Sequence, residues 1–201
     1  MLTKINRKNC LEKYKIFPQR NDYREKYFYP ETFSYDIITI NSKSARGHAK
    51  AIAIEFTKLI KDIGFESLIF LGDIKIPWRY QFNDYKRVIE ALQFLNDNKV
   101  DEKFNGALQI DLLLLPTFVK HLFWLTRCNA SLPYFYFIDE GENIMGHLCK
   151  YGNFHINTLN EHTYLLLEDK LSQSKFSFLD INNCYNQFSI RSAISGRKII
   201  I

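Results

Sequence analysis

The stretch YFYFIDEGENIMG, residues 134–146, joins two apolar runs through a short acidic segment. The aromatic residues before Asp139 and the apolar run that resumes at Ile144 are typical of β-strands. Between them, residues 139–143 have the length and the central glycine of a hairpin loop. The stretch therefore predicts an antiparallel hairpin around Gly141.

Strand-like runs and helical stripes alternate on both sides of this hairpin. Ser44 is a suitable N-cap for the first helix, and Gly64 suits the position after its end. Strands are predicted at SYDIITI (34–40), SLIFLGD (67–73), GALQID (106–111), KFSFLDI (175–181), QFSI (187–190) and RKIII (197–201), and helices at 45–63, 84–95, 116–127 and 160–171.

This order of elements predicts a mixed α/β fold, with helices packed on a single sheet and a strand-rich C-terminal third. The early alternation of strands and helices predicts some parallel pairing, and the late strands predict antiparallel pairing. Without an internal repeat or a Gly/Ser linker, the chain is interpreted as one domain, 1–201. Residues 1–32 are expected to be a basic segment at its periphery.

Positive charge is concentrated at the N-terminus. Residues 1–30 contain eight Lys/Arg and three Asp/Glu, and this difference of five equals the net charge of the whole chain, +5. The body of the protein is therefore neutral, whereas nucleic-acid-binding faces are usually basic. Direct nucleic-acid binding is not expected, and the basic N-terminal arm is the alternative through which it would occur.

The sequence carries no sign of secretion or of a membrane span. MLTKINRKNC lacks the apolar region of a signal peptide, and the longest apolar stretch, 107–125, is interrupted by Asp111, Pro116 and Lys120. The cysteines are far apart and form no C-x-x-C pair, so reduced thiols in the cytoplasm are predicted. They are Cys10, Cys128, Cys149 and Cys184.

Two groups of residues raise the question of catalysis. Four predicted strands end in aspartate, which would suit a metal-dependent nuclease or phosphoesterase if the strand ends met; these are Asp73, Asp111, Asp139 and Asp180. Aspartate is also common in turns and caps.

His147, Cys149 and His155 form the second group. They offer three zinc ligands where four are usual. The spacing of His147 and Cys149, about 7 Å on one strand face, is long for activating a thiol. A buried cysteine beside two half-exposed histidines is the simpler interpretation. The phosphate-binding motif G-x-x-x-x-G-K-[ST] is absent, so neither a metal nor a cofactor is predicted.

Two loops have the composition of a protein interface. Trp78, Arg79 and Tyr80 are adjacent, and residues of these types often dominate binding energy. Filling the core as an anchor of this loop is an equally good interpretation of Trp78. The acidic residues of the hairpin loop could contact a basic partner, although a solvated turn is the simpler interpretation. The predicted partner-binding residues are Trp78, Arg79, Tyr80, Asp139, Glu140 and Glu142.

With these two loops, IPWRYQF and FIDEGEN, and without a catalytic motif, the whole chain resembles bacterial immunity proteins. These proteins neutralise polymorphic toxins, such as those of contact-dependent growth inhibition. The resemblance implies a non-enzymatic cytoplasmic protein that binds one cognate toxin domain, often a nuclease, and blocks its active site or substrate surface. It carries no motif, so it assigns no residue a role.

Overall fold

A computed structural model describes residues 1–21, 26–80, 84–128, 135–180, 184–186 and 188 of the chain. The helices in this part are α1 (Arg7–Lys13), α2 (Ala45–Ile63), α3 (Lys86–Asp97), α4 (Leu115–Cys128) and α5 (Glu161–Ser172). The strands are β1 (Leu2–Ile5), β2 (Gln19–Asn21), β3 (Lys26–Phe28), β4 (Ser34–Thr39), β5 (Ser67–Leu71), β6 (Ala107–Asp111), β7 (Tyr136–Asp139), β8 (Ile144–Leu148), β9 (Phe154–Thr158) and β10 (Ser177–Leu179).

Eight of these strands form one sheet in the order β1-β6-β5-β7-β8-β9-β4-β10, and β2 pairs with β3 separately. The predicted fold class, helices packed on a single sheet, is confirmed. The predicted parallel pairing is wrong, because each pairing between described strands is antiparallel.

The physical reason lies in the connections. β4 and β5 run in the same direction and are joined by α2, but β7, β8 and β9 lie between them. β6 and β7 are likewise joined by α4 and lie on opposite sides of β5. The alternation of strands and helices therefore reflects crossover connections. Strands from elsewhere in the chain lie between the two strands that α2 joins and between the two that α4 joins.

The hairpin predicted around Gly141 is confirmed as β7 and β8, in the middle of the sheet. Its register places Phe137 opposite Gly146. A Cβ atom on Gly146 would lie 2.6 Å from the Phe137 ring and 2.3 Å from the His155 carbonyl oxygen. Glycine is therefore needed here so that the aromatic ring can lie against the neighbouring strand.

The longest helix follows its sequence signals closely. The Ser44 hydroxyl accepts the Gly47 N–H at 3.1 Å, and Gly64 ends the helix in the left-handed conformation with φ 98°. The predicted apolar stripe of α2 is buried, and within it Phe56 stacks on Phe154 of β9 with ring centroids 3.7 Å apart. Local capping and helical periodicity were therefore sufficient to predict this element.

The other three predicted helices begin and end within two residues of their expected bounds. α3 is displaced to 86–97, α4 to 115–128 and α5 to 161–172. The strand expected over 175–181 is shortened to Ser177–Leu179. Those expected at 187–190 and 197–201 lie outside the described residues, apart from Phe188. Within the described part, no helix is both long and apolar enough to cross a membrane.

Apolar side chains cover both faces of the sheet. The larger core lies on one face beneath α2, α3, α4 and α5. A smaller core on the other face contains Cys10, Tyr14 and Phe17, which pack on β5, β6, β7 and β8. Because β1 also pairs with β6, the first 17 residues belong to the body of the fold, which corrects the expectation that they lie at its periphery.

The basic N-terminal residues are partly used inside the fold. Arg7 donates to the carbonyl oxygens of Gly72 (2.8 Å) and Asn105 (3.1 Å), and Lys4 donates to that of Lys99 (2.7 Å). These contacts engage two of the cations that a nucleic-acid-binding arm would use.

Candidate functional site

The acidic hairpin turn is held together by its own first carboxylate. Asp139 is 2% exposed. Its Oδ1 accepts the N–H groups of Asn143 (2.6 Å) and Ile144 (2.8 Å), and its Oδ2 accepts the N–H of Gly141 (2.9 Å) and the Asn143 side-chain amide (2.8 Å). Asp139 is therefore inaccessible to a partner, and its predicted binding role is corrected: it closes the turn.

The other two carboxylates of the turn also bind within the chain. Glu140 accepts the Ser67 hydroxyl (2.7 Å) and the Gln109 amide (2.8 Å) through Oε1. Glu142 accepts the backbone N–H of Lys15 at 2.7 Å, which joins the turn to the segment after α1. The turn thus connects parts of this protein and does not present three unengaged acids.

The predicted interface group at 78–80 divides into buried and exposed members. Trp78 is fully buried, stacks on Phe135 at 4.2 Å and donates its indole N–H to the Gly106 carbonyl at 2.9 Å. Of the two roles that the sequence left open for Trp78, the structure therefore shows the core anchor, and its predicted partner-binding role is corrected. Arg79 donates to the Asn96 side chain at 3.1 Å, and Tyr80 remains 41% exposed.

The four strand-end aspartates do not meet. Asp111 and Asp139 lie at one end of the sheet, beside Ser67 and Leu68 of β5, whereas Asp73 follows the opposite end of that strand. Asp180 follows β10 at the edge of the sheet, four strands away from β7 in the strand order. Asp73 and Asp111 also accept backbone N–H groups in turns, at 2.7 Å from Lys75 and 3.0 Å from Leu114. The nuclease hypothesis loses its geometric basis.

A groove along α3 offers a charged surface to a partner. It has a volume of about 600 Å³. Three carboxylates and one lysine line it, together with the apolar side chains of Ile89 and Phe94. The charged lining residues are Asp84, Lys86, Glu90 and Asp97. The groove is therefore acidic although the body of the chain is neutral.

Neighbouring side chains orient two of these carboxylates. Arg87 donates to Glu90 at 2.6 Å, and this contact holds the pKa of Glu90 below its usual range. Gln93 donates to Asp97 at 2.6 Å. Because these pairs are three and four residues apart on one helix, the carboxylates are held on a rigid surface.

A histidine lies in the wall of the groove. His121 of α4 stacks on Phe94 with ring centroids 4.8 Å apart, and its Nδ1 is buried without a hydrogen-bond partner in the described structure. Burial, followed by the charge of Lys120, lowers the pKa of His121 to about 4. The imidazole is therefore neutral at pH 7, and the carboxylates determine the charge of the groove.

A second cavity, of about 390 Å³, lies on the opposite face of the sheet. His147 and His155 face each other across β8 and β9 and stack at 4.5 Å. Tyr35 contacts His155 Nδ1 through its hydroxyl at 2.5 Å, and Tyr136 packs edge-on against His147. Burial and the neighbouring His155 lower the pKa of His147 to about 3, so this ring is neutral.

Behind His155 the structure brings two distant thiols together. The sulfur atoms of Cys149 and Cys184 are 3.6 Å apart, and the Cys184 sulfur is 3.3 Å from His155 Nε2. The hydrogen bond from Cys149, assisted by those from His155 and Asn153, lowers the pKa of Cys184 to about 4. The shared proton and burial raise the pKa of Cys149. Cys184 is therefore the more acidic thiol of the pair.

This group differs from the one that the sequence indicated. Cys149 and His155 belong to it, but His147 turns towards the cavity and Cys184 takes its place. Cys184 lies 29 residues beyond His155, without a C-x-x-C partner. The sequence showed only that the chain has four cysteines. Which two of them lie together is decided by the tertiary structure.

The chain matches no family model, no curated protein and no solved structure. The roles of the acidic groove, the aromatic cavity and the thiol pair therefore follow from their own geometry and chemistry.

Proposed function

We propose that this protein is a non-enzymatic, cytoplasmic inhibitor of the immunity type, which binds one bacterial toxin domain through the groove along α3. The observation that supports this proposal is the set of three carboxylates, Asp84, Glu90 and Asp97, around one apolar groove. A toxin that acts on nucleic acid has a basic substrate surface, and carboxylates would occupy it in place of phosphates.

Exposed apolar side chains near the groove supply the second requirement of a specific interface. Tyr85 is 46% exposed and Ile89 is 51% exposed, and both belong to the first two turns of α3 or its cap. Buried aromatic and aliphatic anchors provide most of the binding energy in typical interfaces, while surrounding charges accelerate association. The groove combines both features on one helix, which packs firmly against α4.

The decisive experiment is co-expression with the toxin domain encoded by the gene directly upstream. We expect this protein to rescue growth and the double variant Glu90→Lys/Asp97→Lys to fail. The matched control is Glu161→Lys/Glu168→Lys on the exposed surface of α5, which makes the same charge change and should still rescue. Circular dichroism must show that both variants are folded.

Binding kinetics with the purified toxin domain separate the two parts of the interface. The lysine variants should lower the association rate at least tenfold at low salt, because complementary charge steers encounter. Tyr85→Ala should raise Kd about 30-fold through faster dissociation, which corresponds to about 2 kcal/mol. Absence of a toxin-like neighbour, or rescue by the folded α3 variants as well as by the α5 control, would contradict the proposal.

A further inference from the structure

Three side chains with metal-binding atoms converge at one end of the central hairpin β8–β9. Cys149 follows β8, His155 lies in β9, and Cys184 comes from the C-terminal segment. Their two sulfur atoms and one imidazole nitrogen all lie within 4.8 Å of one another. Thiolate and imidazole are the ligands that Zn²⁺ binds in proteins.

The distances match those of a tetrahedral zinc site. Bonds of about 2.3 Å to sulfur and about 2.0 Å to nitrogen place two sulfurs about 3.8 Å apart, and a sulfur and a nitrogen about 3.5 Å apart. Here the Cys149–Cys184 sulfur separation is 3.6 Å, and the separation of the Cys184 sulfur from His155 Nε2 is 3.3 Å. Only a small outward adjustment would admit the ion.

Surrounding groups orient two of the three ligands, His155 and Cys184. The Tyr35 hydroxyl contacts His155 Nδ1, which leaves Nε2 directed at the sulfurs. The Asn153 amide donates to the Cys184 sulfur at 3.3 Å, and Thr39 binds the oxygen of the same amide at 2.7 Å. Such outer contacts are typical of metal sites.

We propose that Cys149, His155 and Cys184 form a Zn²⁺-binding site, with His155 binding through Nε2 and the fourth position taken by water or an exogenous ligand. Both cysteines bind as thiolates, so any thiol proton passes to solvent on binding. Two thiolates 3.6 Å apart repel each other, and one dication neutralises both charges.

The site would attach the C-terminal segment to the sheet. Near Cys184, Asn186 accepts a hydrogen bond from Arg127 at 2.9 Å, and the Phe188 ring lies 4.9 Å from that of His48. Zinc would add the strongest bond in this attachment and would stabilise the folded chain in proportion to its affinity. This role is independent of toxin binding through α3.

Cobalt substitution tests the site directly. The whole chain is reduced, freed of metal and titrated with Co²⁺ alone. We expect thiolate-to-cobalt charge-transfer absorption and the intense d–d bands of tetrahedral Co²⁺, saturating at one ion per chain and displaced by Zn²⁺. Cys149→Ser and Cys184→Ser should abolish the charge-transfer signal or weaken binding about 100-fold. Cys128→Ser, which removes a thiol outside the cluster, should leave it unchanged.

Tyr35→Phe provides a milder variant that keeps all three ligands, and it should weaken Co²⁺ binding about tenfold through the loss of the contact to Nδ1. Absence of the charge-transfer spectrum in the reduced, folded protein would overturn the proposal. So would an equal loss in Cys128→Ser. A Cys149–Cys184 disulfide in the oxidised protein, combined with no cobalt spectrum after reduction, would assign the pair to thiol redox chemistry instead.

Discussion

The hairpin turn at 139–143 and the groove along α3 each contain three carboxylates, and they use them in opposite ways. In the turn, Asp139 is buried beneath four hydrogen bonds, and Glu140 and Glu142 bind other parts of the chain. In the groove, Glu90 and Asp97 bind Arg87 and Gln93 of the same helix, and the carboxylates line an open surface beside apolar side chains. A local density of acids therefore does not identify a binding surface. The number of hydrogen bonds that each carboxylate accepts from the rest of the chain is a better guide to its availability to a partner.

The largest effect on the free energy of unfolding is expected at Trp78. This residue belongs to the other predicted interface loop, and it tests the same contrast between buried and accessible side chains. Trp78→Ala should lower the free energy of unfolding by about 4 kcal/mol, because it leaves a cavity against Phe135 and an unpaired Gly106 carbonyl. Tyr85→Ala, which removes a half-exposed ring packed edge-on against Trp124, should lower it by about 1 kcal/mol. Urea unfolding measures both. Similar values for the two variants would remove the distinction between buried and exposed aromatic residues.

Asp139→Ala should cost about 3 kcal/mol of unfolding free energy, because buried N–H groups of the turn lose a charged acceptor. Asp139→Asn keeps one acceptor oxygen and should lose less. Asp97→Ala in the groove is the matched control and should stay within about 0.5 kcal/mol. If Asp139→Ala were as mild as the control, the turn would not depend on its carboxylate.

The pH dependence of the free energy of unfolding should reflect the protonation of His121, which lies in the wall of the groove. Its pKa is about 4 in the folded protein and about 6.5 otherwise, so between these values the unfolded chain binds a proton that the folded chain does not. Stability should therefore fall as the pH is lowered from about 6.5 to about 4. His121→Phe keeps the stacking on Phe94 and should reduce this slope by up to about 1.4 kcal/mol per pH unit. Parallel curves for the two proteins would contradict the assignment.

The smallest expected effect is the difference in unfolding free energy between substitutions of Glu142 and of Glu90. Glu142→Ala should lower the free energy of unfolding by about 1 kcal/mol, because the Lys15 N–H loses its acceptor. Glu142→Gln retains an acceptor oxygen and should recover most of that loss. Glu90→Ala, which removes the half-exposed ion pair with Arg87, should change stability by no more than about 0.5 kcal/mol. A larger loss at Glu90 than at Glu142 would reverse the comparison between the two regions.

Local signals predicted the elements whose causes are local. Ser44 and Gly64 bound α2 because a cap and a left-handed residue act within one helical turn. The hairpin around Gly141 followed from alternating apolar runs with a short loop between them. The mixed class of the fold followed from the order of these elements.

Tertiary structure alone decided which strands became neighbours and which polar side chains reached the surface. The order of the strands leaves Asp73 at the opposite end of β5 from Asp111 and Asp139, and it places β10, which Asp180 follows, at the far edge of the sheet. Burial of Trp78 and Asp139 depends on Gly106, Phe135 and a turn that folds back on itself. Cys184 meets Cys149 only because the fold brings residues 184–186 beside the loop between β8 and β9. Hydrophobic periodicity and capping act between residues a few positions apart and are visible in the sequence. Pairing across 35 residues depends on packing of the whole chain, which the sequence pattern does not display.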